Sequence, residues 1–481
     1  MTINNIQRFS RSVFRLLILS VVLTGFPELT AQQPDSISFY LHEAAANNPG
    51  LKAKYAQYQA SLEKVPQAGT LPDPELQFGF FIKKMTLMEG YQLADFRLMQ
   101  MAPWFGSLKA AKDEASKMAL AKFEEMESDR NQLFFDVKNA WYQVYRSAKE
   151  IESTQNNLTL LRSLERMAII RLRSAGNAAS PGPASMSEGS ATGQKAGNSG
   201  MGGSAMGSQA DKKSGTGSSS AMSAETPMAG ADQGGMINVL RVQMELGELE
   251  NKLEGLKDQL VTNKTRFNSY LNRKPDADVF IVKELPETTL PVSASLLADS
   301  IVNNPMIRMY DADRRANEAR MVMANRMGYP MIGIGLNYSL IQKFPDVTSM
   351  MNGKDMLMPM VTATLPIYRK KYTSLQQEAG FLRDAAAESA KNVHNELKVS
   401  YQEALQLYHD ADRRIDLYNR QASLAEKTIT LLTQSFSVAG TDFEEILRLQ
   451  QKLLDYQFKQ IEALVDRNVA IATINSIIAH Q

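Results

Sequence analysis

A mainly α chain with a small β part, laid out as two copies of one plan, is predicted by three observations. First, Ser107 to Ser174 is 68 residues without a proline or glycine, in helical period. Second, two short stretches alternate apolar and polar residues, as half-buried strands do. Third, Asn47-Asn48-Pro49 recurs as Asn303-Asn304-Pro305, and at the same offset of 256 Leu76, Phe78 and Phe80 meet Ile332, Ile334 and Leu336.

In order, residues 1–31 read as a signal peptide. Arg8, Arg11 and Arg15 precede the apolar run Leu16 to Phe26, and Ala31 offers a small residue for cleavage. No other apolar run is long enough to span a bilayer as a helix, so the exported chain is soluble or a β-barrel.

The first copy occupies 32–273. A helix over 36–64 carries Leu41, Ala45, Leu51, Tyr55, Tyr58 and Leu62, with a break or fresh start at Pro49. Pro72-Asp73-Pro74 stops it. A strand hairpin over 75–103 follows, with Leu76, Phe78, Phe80 and Ile82 on one side and Gln77, Gly79 and Lys83 on the other. The long helix 107–174 has a coiled-coil seam of Val137, Trp141, Val144, Ala148 and Ile151. An Ala175-Gly176 stop, an insert over 177–235 and a helix over 237–272 complete the copy. Residues 274–292 are a linker with one extended piece, Val279 to Val282.

The second copy, 293–481, repeats the plan: helix 293–326, hairpin 331–366, long helix 371–436, a tip, and a return helix 442–479. Its seam is stricter, running from Tyr401 through Ala404, Tyr408, Ala411 and Ile415 to Phe436 in threes and fours. Pro359 lies inside the last strand, so a bulge or a later strand start is expected there. Ala439-Gly440 reads as a helix stop, with Thr441 and Asp442 as caps for the next helix.

Element lengths fit together. In copy one the short helices hold 29 and 36 residues against 68 in the long one; in copy two, 34 and 38 against 66. Two short helices stacked end to end match one long helix of roughly 100 Å at 1.5 Å per residue. That geometry makes a tube wall of antiparallel coiled-coil helices. Strands of about 8–12 residues suit a tilted transmembrane strand. Four strands cannot enclose a channel; three chains would supply twelve and leave no sheet edge.

Composition narrows the function. With 53 basic and 52 acidic residues, no basic field points to nucleic acid. The chain has no cysteine, which removes disulfides, thiolate chemistry and a lipid-anchoring cysteine. There is no HExxH, Walker A or G-x-S-x-G motif, and His42, His394, His409 and His480 are scattered. Neither an enzyme nor a cofactor is expected.

With these features in place, the whole mature chain resembles the TolC-like outer-membrane efflux family. The match rests on the two-copy plan, the Asn-Asn-Pro openings and the strand exits at Pro103 and Pro366. The tip segments Phe436-Ser-Val-Ala-Gly-Thr441 and Ile446-Leu-Arg-Leu-Gln450 add to it. Pro366-Ile-Tyr-Arg-Lys-Lys-Tyr372 is most similar to heavy-metal-efflux members. The resemblance implies a homotrimer with a twelve-stranded barrel in outer-membrane lipid and an α-barrel tunnel below it, closed at the periplasmic tip. It implies two partners: a periplasmic adaptor (a membrane fusion protein) and a proton-driven inner-membrane RND pump. Gate and adaptor docking would fall at Phe436, Val438, Gly440, Thr441, Asp442 and Glu445, and near Asn238 in copy one. The sequence departs from the family pattern at Thr441 and Arg448. Asp442, Glu444 and Glu445 also read simply as a first-turn acidic cap favoured by the helix dipole. Exported heavy-metal cations, Cu(I)/Ag(I) or Co/Zn/Cd, are the first expectation. Drug efflux or protein secretion through the same duct is the alternative, and an exported coiled-coil scaffold without a pore is a third.

The insert has no Val, Ile, Leu, Phe, Tyr or Trp and cannot bury a core. Its large apolar side chains are Met186, Met201, Met206, Met222 and Met228, whose thioethers suit Cu(I) or Ag(I). Against capture of metal, methionine is abundant throughout. The insert has 5 in 59 residues and the remainder 21 in 422, an enrichment under twofold. The methionines between Met306 and Met360 are expected to fill packing gaps.

Overall fold

The computed structural model describes residues 37–178, 230–285, 300–345, 352–439 and 443–478. The signal-peptide region, the five insert methionines (Met186, Met201, Met206, Met222 and Met228), Gly440, Thr441 and Asp442 lie outside the described residues. The elements run α1 (Ile37–Asn47), α2 (Pro49–Ala68), β1 (Glu75–Leu87), β2 (Gly90–Ala102), α3 (Ser107–Ala178) and α4 (Gly230–Tyr270). After a 3₁₀ turn (Ile301–Asn303) come α5 (Pro305–Met327), β3 (Met331–Gln342), β4 (Met356–Thr364), α6 (Arg369–Ala439) and α7 (Phe443–Ile477). The chain is thus mainly helical with one four-stranded antiparallel sheet in the order β1-β2-β3-β4. No described helix is long and apolar enough to cross a membrane.

The chain divides into two compact units. Of the described residues, one unit holds those up to Ile151, those from Leu256 to Ala422 and those from Tyr456 onward; the other holds those from Glu152 to Gly255 and from Ser423 to Asp455. In the first unit, Tyr40, Val137, Trp141, Val144, Phe267 and Leu271 share one buried cluster. Every residue of the predicted second-copy seam from Tyr401 to Phe436 is buried or half-buried. In the first seam Val137, Trp141 and Val144 are buried, while Ala148 and Ile151 yield the innermost places to Ser147 and Glu150.

The repeated Asn-Asn-Pro motif has a physical explanation. Proline starts α2 and α5, where its missing N–H costs nothing. The preceding asparagine caps the helix: Asn48 Oδ1 accepts from Leu51 N at 3.0 Å and Asn304 Oδ1 accepts from Met306 N at 2.9 Å. The other half of each amide reaches across the fold. Asn48 Nδ2 donates to Tyr270 O at 2.9 Å, and Asn304 Nδ2 donates to Ile477 O at 2.8 Å. Tyr270 and Ile477 are the last residues of α4 and α7, whose terminal carbonyls lack intrahelical partners. One side chain therefore closes the end of one helix and the start of another, joining α4 to α2 and α7 to α5. Asn272, with φ of 55°, takes the left-handed position that ends α4.

Several boundaries differ from expectation. The break expected at Pro49 is present, but the second helix runs past residue 64 to Ala68 and through Pro66, which loses one bond in its last turn. The Ala175-Gly176 stop does not stop α3, which continues to Ala178. The helix expected from residue 237 begins at Gly230. Gly235 explains part of this, because a Cβ there would lie 2.8 Å from Leu172 Cδ1, so glycine permits the close approach of α3 and α4. The linker piece Val279 to Val282 pairs with no strand. It is tied to the helices instead: Tyr40 Oη accepts from Phe280 N at 2.9 Å and Trp141 Nε1 donates to Phe280 O at 3.1 Å. Pro359 neither bulges β4 nor delays it, since Leu336 pairs with Pro359 in unbroken register. Within the single chain β4 is an edge strand, where a missing donor can face away from the β3 ladder. The register instead breaks in β1 between Phe80 and Met85, so Ile82 leaves the row it was expected to share. The β1–β2 turn needs glycine at Gly90 (φ 144°), where a Cβ would strike Gln342 O and Ile341.

Candidate functional site: the sheet faces and the helix tips

Strand side chains alternate between faces, and the register aligns the same parity across all four strands. One row pairs Leu76, Leu98, Leu336 and Pro359; the next pairs Phe78, Phe96, Tyr338 and Leu357. This face also carries Phe80, Ile332, Ile334, Leu340 and Val361. Phe96 lies between Phe78, at 5.5 Å and edge-on, and Tyr338, at 6.3 Å. The residues are packed sideways and uncovered from above: Phe80 is 74% and Val361 78% exposed. A contiguous apolar face of this kind requires an apolar cover. The opposite face is polar, with Gln77, Asp95, Arg97, Asn337, Ser339 and Thr362. Apolar-out, polar-in alternation over strands of 9 to 13 residues is the pattern of a lipid-facing barrel wall.

The second unit holds the helix tips. Phe436 is buried and meets Phe443, the first residue of α7, with ring centroids 5.0 Å apart. Arg171 of α3 lies over the Phe436 ring, 4.8 Å from its centroid, and its guanidinium donates to Phe436 O. It therefore supplies a cation–π contact and satisfies a carbonyl in the last turn of α6. Arg241 of α4 pairs with Glu444 at 2.5 Å. Glu445 pairs with Arg448 at 2.6 Å on its own helix. That hydrogen bond, helped by the charges of Arg448 and Lys452, holds the Glu445 carboxyl below its ordinary range. Deeper in the unit, Gln450 Nε2 donates to Asn157 Oδ1 at 3.4 Å, and Gln450 Oε1 is buried without a partner. Ile446, Val242 and Leu161, in the same unit, are fully buried.

Of the sequence-predicted tip residues, Phe436 and Glu445 sit in these contacts. Asn238 is half-buried on α4, one turn from Arg241 and Val242. Val438 is on the last turn of α6, and its side chain is not described. Sequence reasoning missed Arg171, Arg241 and Phe443. Arg171 and Arg241 stand on copy-one helices 265 and 203 residues from their partners, and no local spacing marks them.

Arg171→Ala removes a charge-assisted bond to a backbone carbonyl, which contributes about 1.5–3 kcal/mol. Amide exchange in the last turn of α6 is expected to accelerate about 10- to 150-fold, with little change at α1 and α2. Hydrogen exchange resolved by residue checks this, and uniform acceleration across both units would refute a local role.

No family model and no curated protein matches the sequence. Solved structures do match the fold. The outer-membrane channel OprN has a TM-score of 0.68 at 14% identity, covering 95% of this chain and 93% of that one. The outer-membrane protein VceC from Vibrio cholerae gives 0.64 at 13% identity, covering 92% and 95%. The CmeC outer-membrane channel of Campylobacter jejuni gives 0.67 at 10%, covering 92% and 85%. The chain has the fold of these channels over 92–95% of its length.

Proposed function

We propose that this protein is the outer-membrane exit duct of a tripartite efflux assembly. Three copies would join their sheet edges into a twelve-stranded barrel, and their helices would line a periplasmic tunnel. The observation that carries this reading is the sheet: one face apolar but for Gln100 and largely uncovered, the other carrying the sheet's charged and amide side chains, Glu75, Gln77, Asp95, Arg97 and Asn337, in a chain whose fold matches outer-membrane channels over 92–95% of its length. The unpaired edges of β1 and β4 supply the reason to trimerise, since closure removes them. The helix tips are the surface for a periplasmic adaptor, with an inner-membrane RND pump beyond it. Phe436, Val438, Gly440, Thr441, Asp442, Glu445 and Asn238 belong to that gate and docking region. The cargo is a heavy-metal cation, supported by the similarity of the Pro366-to-Tyr372 segment to heavy-metal-efflux members of the family. The protein is a conduit, not an enzyme.

Reconstitution of the full chain in planar bilayers tests the duct. Stepwise ion conductance is expected, and a coiled-coil scaffold without a pore gives none. Loss of the gene should also raise the sensitivity of the host to Ag(I) or Cu(I) salts.

A further inference from the structure

The polar face of the sheet carries an asymmetry that barrel architecture does not require. Where the four strands are in register, each face presents seventeen residues. The polar face holds six methionines (Met99, Met101, Met331, Met356, Met358 and Met360), and the apolar face holds none. Gap-filling, the ordinary use of methionine, would favour the packed apolar side. Here the methionines avoid it, and Met356 and Met358 remain 36% and 43% exposed, so these two plug no void.

Their placement is specific. Met99 and Met360 are both register partners of Gly335, one on each side, and Met101 partners Gly333. The Met101 Sδ occupies the space a Cβ at Gly333 would need. Gly333 and Gly335 thus floor a trough along β3, with β2 and β4 on its flanks. Adjacent strands lie about 4.8 Å apart, so thioethers from the two flanks can reach one ion over that floor. Beside the trough, Asn337 is 9% exposed and its Oδ1 has no partner, which adds an oxygen acceptor facing the same row as Met358. Among the described residues no group of His, Asp or Glu could hold a harder metal.

We propose that this trough binds soft monovalent cations, Cu(I) or Ag(I), through the thioethers of Met99, Met101, Met358 and Met360. Thioethers select such ions over Zn(II), Mg(II) or K(I). Weak sites in series let a cation enter and leave, which suits a passage better than a store. The site's place on a transport route rests on the exit-duct reading; the binding itself does not.

The test uses the full chain in detergent micelles, with the five insert methionines changed to leucine so that the insert contributes nothing, and the sheet's share is read from the fourfold change below. Ag(I) added in chloride-free buffer should bind saturably, and Zn(II) should not. The further set Met99→Leu, Met101→Leu, Met358→Leu and Met360→Leu, near in volume to the originals, should weaken Ag(I) binding at least tenfold. X-ray absorption of the bound silver should show sulfur neighbours only before that change. If the fourfold variant fails to fold, the pair Met99→Leu and Met360→Leu should still weaken binding measurably. Unchanged Ag(I) affinity, absent saturable binding, or equal binding of Zn(II) would overturn the proposal. Bilayer conductance of the same chains separates the two readings. A conducting chain that ignores Ag(I) rejects the site and leaves the duct. A chain that binds Ag(I) without conducting rejects the duct and leaves the site.

Discussion

Leu336→Arg is expected to abolish stable assembly in the outer membrane. Leu336 sits mid-strand in β3, in the row with Leu76, Leu98 and Pro359, on the uncovered apolar face. Arginine facing lipid near the bilayer midplane costs about 2–4 kcal/mol. In each chain of a trimer that lowers the inserted fraction by about 30- to 700-fold per site. Thr362→Arg, on the opposite face, should leave insertion intact because that face meets water. The measurement is the amount of folded trimer in outer-membrane fractions, resolved on gels without heating. The contrast between the two variants carries the information. If the sheet packed in water, Leu336→Arg would relieve an exposed apolar patch and raise soluble yield, and the membrane reading would fail.

The second large effect is expected at Asn304, which is 5% exposed. Asn304→Ala deletes the acceptor for Met306 N, a cap contributing about 1 kcal/mol. It also strips the donor from Ile477 O and leaves that buried carbonyl unsatisfied, at about 1–3 kcal/mol. The sum, about 2–4 kcal/mol, is measurable as a lower denaturant midpoint of the purified protein. Asn304→Asp separates the two roles. Aspartate caps a helix as well as asparagine does, but it presents a carboxylate to Ile477 O instead of an amide hydrogen. If the joint to α7 matters, Asp is as damaging as Ala; near-native stability of Asn304→Asp would reduce this residue to an ordinary cap. Asn48, only half-buried, should show the same order of effects at smaller size.

Much of the fold is legible in the sequence because its elements are long and periodic. A seam such as Tyr401 to Phe436 averages over many turns, so single exceptions do not hide it. The hairpins are visible because one face is nearly pure Leu, Ile and Phe. What escapes the sequence depends on partners far along the chain. The Asn-Asn-Pro motif announces a helix start, but the amide of Asn48 finds Tyr270 O across 222 residues and that of Asn304 finds Ile477 O across 173. The methionines of β2 and β4 fall into one face only when the register is known, since a one-residue slip would send them to the other. Local rules also fail where context outweighs them. Gly176 does not stop α3, and α4 runs through Gly234 and Gly235, although glycine disfavours a helix by about 1 kcal/mol. Pro359 disturbs no register, because it stands on an edge.

The two asparagine joints have a consequence for ancestry. Asn48 and Tyr270 both belong to the first copy, and Asn304 and Ile477 both belong to the second. Each copy therefore closes its own joint and owns its own hairpin, borrowing neither from its twin. A gene of half this length would encode every kind of contact that holds one copy together, and six such products would equal three of the present chains. Fusion of two copies added no new type of joint. It added freedom, because the halves could then diverge, one carrying the 59-residue insert where the other has three residues, 440–442, between its helices.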